Sequence, residues 1–145
     1  YYAKIDKYKG YQIRQLCQEM HDFYKDRQVS TLQERLFLHD YFPEYVLNPQ
    51  DANFEFQRGK GELVPLDEAE GRIALEGALP YPPGVLCVQP GERWSKTACD
   101  YFLALQEGIN KLPGFAPEIQ GVYITPQPDG TKKAYGYVLK KEFEK

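Results

Sequence analysis

The side chains with the most chemical potential in this 145-residue chain are two histidines, three cysteines and a few clustered acids and glycines. His21 and His39 each lack a second His or a carboxylate at i+4, the spacing that would place two metal ligands on one helix face, so both read as surface or helix-packing residues. Cys17, Cys87 and Cys99 are far apart and each has apolar neighbours. Without a Cys-x-x-Cys pair they suggest neither a zinc site nor a disulfide framework, and all three are expected to be buried thiols in a reducing compartment. Gly59-Lys60-Gly61 lacks both a preceding strand and a Gly-Lys-Ser/Thr helix start, and is expected to stop a helix instead of cradling phosphate. Asp67, Glu68 and Glu70 form an acidic turn; Asp67 and Glu68 are expected to face solvent, and Glu70 is the exception because it adjoins a motif described below.

The elements that must carry these residues follow from periodicity and turn chemistry. Ile13, Leu16, Cys17, Met20, Phe23 and Tyr24 predict an amphipathic helix from about Gly10 to Arg27, after a polar, Lys-rich start. Thr31 with Glu34 reads as a capping box opening a second helix, and Asn48-Pro49 with Asp51 opens a third that runs to about Arg58. Two β-prone runs, Ile73–Leu79 and Val85–Val88, flank the rigid Pro80-Tyr81-Pro82-Pro83-Gly84 bend. Ser95 caps a long helix with Ala98, Cys99, Phe102, Leu105 and Ile109 on its apolar face, and Trp94 stands where it can staple against Cys99. The last third predicts a hairpin, Ile119–Thr125 and Ala134–Leu139 around Asp129-Gly130, followed by a solvated tail, Lys140–Lys145. The expected fold is α+β: an N-terminal helical arm over residues 1–62, then a body over 63–145 with a small mixed sheet, one long packing helix and a C-terminal β-hairpin.

Composition removes several classes of function. The net charge of -3, with Lys and Arg scattered among Asp and Glu, offers no basic stripe for nucleic acid. No apolar run approaches the roughly 20 residues that cross a bilayer, and Tyr1-Tyr2-Ala3-Lys4 lacks the apolar core of a signal peptide, so a cytoplasmic chain is expected. The 12 tyrosines point to half-buried or interface surface, because Tyr combines a burying ring with a polar tip.

Three ordered motifs remain: Glu70-Gly71-Arg72-Ile73-Ala74, Leu79-Pro80-Tyr81-Pro82-Pro83-Gly84-Val85 and Pro90-Gly91-Glu92. Leu112-Pro113-Gly114-Phe115 and Gln120-Gly121-Val122-Tyr123 follow them, while Arg14 to His21 and Val64-Pro65-Leu66 precede them. Together they resemble the C-terminal domain of the bacterial fold-type I ornithine/lysine/arginine decarboxylases, with Gly77-Ala78-Leu79 and Leu86-Cys87-Val88 most like the inducible ornithine enzymes.

The resemblance implies a chain that is not a complete enzyme. In the family, pyridoxal phosphate carries the decarboxylation, held by a lysine in a Ser-x-His-Lys context, an aspartate and a Ser/Thr phosphate cradle, all in the large domain. None of this chain's 12 lysines follows a histidine, and Lys96 of Ser95-Lys96-Thr97 reads as an exposed first-turn residue. No catalytic residue, cofactor or metal is therefore expected on this chain. The implied partners are the rest of the decarboxylase chain and neighbouring subunits of a homo-oligomer. Tyr81, Pro82, Pro83 and Gly84 form either one wall of the active-site entrance or a rigid connector between strands. Glu70, Arg72, Glu76 and Glu92 could pair with one another, reach a neighbouring subunit or attract a cationic substrate, and Arg72 with Glu92 is the first pair to test. A stand-alone assembly module and an aromatic-rich ligand-binding module are the other classes of function the residues allow.

Overall fold

The computed structural model describes residues 10–81 and 84–144. The Lys-rich start, the Pro82-Pro83 pair and Lys145 lie outside them. Four α-helices and five strands follow in the order α1 (Ile13–Asp26), α2 (Val29–Arg35), α3 (Pro49–Gln57), β1 (Gly61–Pro65), β2 (Leu79–Tyr81), α4 (Lys96–Lys111), β3 (Glu118–Gln120), β4 (Tyr123–Pro126) and β5 (Lys132–Leu139). The α+β class expected from the sequence is the class observed.

The helix starts show how local chemistry sets the boundaries. The Asn48 side chain accepts a hydrogen bond from the Asp51 backbone N–H, and Ser95 does the same for Ala98, so α3 and α4 begin where their caps predict. Each such cap is worth about 1 kcal/mol. α2 differs, because it starts at Val29 directly after Gln28, whose φ of 50° turns the chain sharply out of α1. Thr31 and Glu34 therefore lie inside the helix instead of opening it. Burial of Val29 and Leu36 in the main core outweighs the capping box.

A three-stranded antiparallel sheet, ordered β1-β5-β4, forms the centre, and β2 pairs with β3 in a separate antiparallel ribbon. Every pairing between named strands is thus antiparallel, where a mixed sheet was expected. β1 carries no sequence signal beyond Val64, yet its five residues pair with Tyr135 to Leu139 and cross the 62/63 position expected to separate arm from body. The expected hairpin is real between β4 and β5, but Ile119 leaves it for the β2–β3 ribbon. Gly121 makes that break. It sits at φ 72°, and a Cβ there would run into the Gly77 carbonyl, so only glycine lets the two backbones touch.

Alternation along β5 places the two helical layers. Ala134, Gly136 and Val138 point to one face, where Trp94 and Phe102 meet edge to face with ring centroids 5.8 Å apart. Both rings are fully buried, together with Leu66, Ile73, Val88 and Val138. Tyr24, Leu32, Val29 and Leu36 of the first two helices join this same core. On the opposite face Leu139 and Tyr137 pack with Ala52 and Phe56 of α3. Trp94 and Cys99, expected as a staple, are both in the main core, whereas Cys17 is exposed on the outer side of α1 and is not the buried thiol expected. Burial pushes the Cys99 thiol up to about 12 and the Cys87 thiol up to about 11, which keeps both unreactive near neutral pH.

Close approach at Gly136 and Gly121 can be measured directly. A Cβ at Gly136 would lie 3.1 Å from Cζ2 of Trp94 and 3.2 Å from Cδ2 of Leu66, so Gly136→Ala should cost about 1–3 kcal/mol in urea unfolding. Gly121→Ala should cost more, since a backbone carbonyl cannot move aside and φ is already unfavourable. Equal, near-zero effects would contradict both contacts.

Candidate functional site

The motif segments are built into one irregular backbone ladder. Isolated bridges join Tyr45 to Glu92, Ile73 to Arg93 and Ala74 to Val138, so residues 44–47, 91–94 and 72–75 extend the sheet sideways from β5. Leu75 N–H donates to Tyr137 and Leu139 N–H to Ile73, while Trp94 N–H donates to Arg72 and Ala74 N–H to Glu92. Gly91 is the crossing point. Its carbonyl accepts from both Val46 and Leu47, its own N–H donates to Ala74, and its φ of 91° with the Leu47 carbonyl against it leaves no room for a side chain. The Pro90-Gly91-Glu92 motif is thereby a packing requirement.

Arg72 occupies the same ladder and does not pair with Glu92. Its Nε donates to Glu144 at 2.9 Å, and its Nη2 donates to Glu62 at 2.7 Å and to the Leu139 carbonyl at 2.6 Å. Its side chain is only 12% exposed. Burial opposes the guanidinium charge, yet the bonds to Glu62 and Glu144 outweigh it and hold the pKa above its ordinary value. Arg93 adds a weaker contact to Glu144 at 3.6 Å and donates to the Gly71 carbonyl. These bonds fold the expected solvated tail back onto the body, because Glu144 finds two cations there. Glu92 instead accepts from the Gln89 backbone N–H at 2.7 Å and closes the turn that holds Pro90 and Gly91.

The remaining predicted residues separate from this rivet. Glu70 is exposed in its turn. Glu76 accepts a hydrogen bond from Tyr123, and that bond pushes the Tyr123 phenol up to about 12. The second β-prone run, Val85–Val88, forms no strand; only Val88 bridges, to Ala78. Pro80 is buried, Tyr81 is 54% exposed, and the Gly84 N–H donates to the Pro80 carbonyl to close the bend. The prolines between them, Pro82 and Pro83, are outside the described residues.

Pro80 and Tyr81 also line a cleft of about 610 Å³ under α1, α2 and α4. Tyr24, Tyr101 and Phe115 supply its aromatic walls, and His21 and Lys25 reach it from α1. Gln33 donates to the Tyr101 hydroxyl at 3.1 Å. Burial raises the Tyr101 phenol, so it stays neutral. The cleft was not legible in advance. Its only trace was the surplus of tyrosine, because α1 and α4 meet through residues more than 80 positions apart, such as Phe23 and Gly108.

Pyridoxal phosphate does not fit the residues present. Lys96 is 69% exposed and donates to both Asp100 oxygens at 2.9 Å, which raises its pKa, the opposite of what imine formation requires. The cleft's lining includes Lys25 but no carboxylate for a pyridine nitrogen. No group of His, Cys, Asp and Glu able to hold a metal occurs among the described residues. No helix among them is long and apolar enough to cross a membrane.

Fold and site thus define an α+β domain in which the motif residues Arg72, Gly91 and Glu92 tie the chain to itself. Residues 30–140 match the family model described as the Orn/Lys/Arg decarboxylase C-terminal domain, and the chain belongs to that family. It is 69% identical to the ornithine decarboxylase of Haemophilus influenzae over 92% of its length and 19% of that protein. Against the inducible ornithine decarboxylase of Lactobacillus sp. strain 30a the identity is 57% over the whole chain and 20% of that protein. Lysine decarboxylase A from Pseudomonas aeruginosa, a solved structure, superposes with a TM-score of 0.83 at 30% identity, over 95% of this chain and 18% of that one. The chain therefore spans about a fifth of the length of the curated relatives it matches.

The rivet predicts a ranking of substitutions. Arg72→Met should cost about 2–4 kcal/mol in denaturant unfolding, because it strands Glu144 and the Leu139 carbonyl. Arg72→Lys should recover only part, since an ammonium cannot reproduce the planar fork. Glu92→Gln should cost less than either. Full recovery by lysine would show that charge alone matters.

Proposed function

We propose that this chain is the C-terminal domain of a cytoplasmic ornithine decarboxylase, converting ornithine to putrescine and carbon dioxide. The observation that carries the substrate is the contrast in identity, 69% and 57% to ornithine decarboxylases against 30% to a lysine decarboxylase of the same fold. On this reading pyridoxal phosphate is held by residues outside these 145, as the poor fit of Lys96 and of the cleft supports. The domain then serves packing and assembly of a homo-oligomer.

Within that role, the Pro80–Gly84 bend forms one wall of the active-site entrance. Half-exposed Tyr81, presented on a bend closed by the Gly84–Pro80 hydrogen bond, supports this, because a pre-ordered backbone meets a neighbour with little further entropy cost. Pro82 and Pro83 enter this reading by their place in the sequence alone, and Glu70 is the exposed motif charge that faces a neighbouring subunit or a cationic substrate. Arg72 and Glu92 support the wall from behind, through the ladder.

The whole polypeptide carrying this chain, supplied with pyridoxal phosphate, should release carbon dioxide from ornithine well ahead of lysine or arginine, and the 145 residues alone should release none. Carbon dioxide from the isolated chain would overturn the reading, and a working lysine or arginine preference would overturn the substrate. A whole polypeptide inactive on all three would favour a stand-alone assembly module.

Tyr81→Ala in the whole protein separates wall from connector. A wall predicts a fall of about tenfold in kcat/KM, roughly 1.4 kcal/mol, with assembly unchanged in analytical ultracentrifugation. A connector predicts lost assembly or lowered stability with ordinary kinetics in the surviving enzyme.

A further inference from the structure

Between α2 and α3 the chain exposes Phe37, Leu38, Tyr41, Phe42 and Tyr45, five large apolar side chains within nine residues, each between 39% and 64% exposed. No other nine-residue stretch of the described residues shows as many. The segment is not loose. The backbone N–H groups of Tyr41 and Phe42 donate to Leu38 and His39, and Glu44 accepts from Arg93 at the edge of the motif ladder. Arg35 lies over the Tyr41 ring at 5.4 Å, and His39 packs on Phe42 at 5.9 Å. A strip so held presents its rings at a low entropy cost and loses free energy by facing water.

We infer that this strip is the docking face for the remainder of the same polypeptide. The inference rests on the proposed function, under which about four-fifths of the protein lies outside these residues. Tethering decides between occupants. At about 200 Å² per side chain and half exposure, the strip offers on the order of 500 Å². That matches one side of a contact between domains of one chain, and also the apolar share of the roughly 800 Å² per partner that separate molecules bury. A tethered neighbour needs less area, because the linker already supplies a high effective concentration. The strip also continues the ladder through Glu44 and Tyr45, so a domain docked there bears on the segment that Gly91 and Arg72 hold rigid.

The test places the photo-reactive p-benzoylphenylalanine at Phe42 in the whole, native protein and maps the products by mass spectrometry after irradiation. The expected product is a cross-link within one chain, to a segment outside the 145 residues, with no dimer band on a denaturing gel. A cross-link to a second copy, a cross-link confined to these 145 residues, or reaction with solvent alone overturns the inference. Activity toward ornithine is measured on the same sample. Failure to decarboxylate ornithine counts against the proposed function, whereas an active enzyme with the wrong cross-link counts against the docking face alone.

Discussion

Gly91 is the point on which the most structure converges. Segments 44–47, 91–94 and 72–75 share one hydrogen-bond ladder with β5, and they approach closely only because position 91 carries no side chain and accepts φ 91°. The ladder brings Trp94 beneath the sheet, where Gly136 leaves room for it beside Leu66, and so seats the start of α4. It also sets Arg72 beside Glu62 and Glu144, joining the end of the chain to its middle. The buried core then has a continuous floor.

This arrangement changes what the motif charges mean. Arg72 and Glu92 have the residue types of an active site, but each satisfies local acceptors or donors that would otherwise be left bare, which is a structural role. Tyr81 is the contrary case. It is a large ring left half in water on a closed bend, at the rim of an aromatic cleft, while the glycines and charges around it are consumed by packing. The same pattern of internal polar satisfaction and outward apolar rings recurs at Phe37–Tyr45. Polar groups here hold the domain together, and the large rings left in water are the surfaces on which the proposed contacts rest.

Local signals were legible wherever one side chain acts on its own backbone. Asn48 and Ser95 marked two helix starts, the 3.6-residue period marked α1 and α4, and the family motifs were readable as ordered strings around Gly71, Gly84 and Gly91. Capping failed at Thr31, because burial of Val29 set the start of α2, and the hairpin was drawn too long because the break at Gly121 depends on Gly77, distant in sequence. β1 was invisible since its partner Tyr135–Leu139 lies some 75 residues away, and five residues with one β-branched side chain carry no period.

By itself, then, the sequence determined the α+β class, the caps of α3 and α4 and the family, all of which follow from short-range sterics, hydrogen bonding and residue order. Only the tertiary structure decided who pairs with whom: Arg72 with Glu62 and Glu144 instead of Glu92, Cys17 outside the core, Ile119 in a second ribbon, and the cleft between α1 and α4. The physical reason is that ion pairing, burial and strand partnership are set by distances between chain segments far apart in sequence, and those distances exist only after the core has closed.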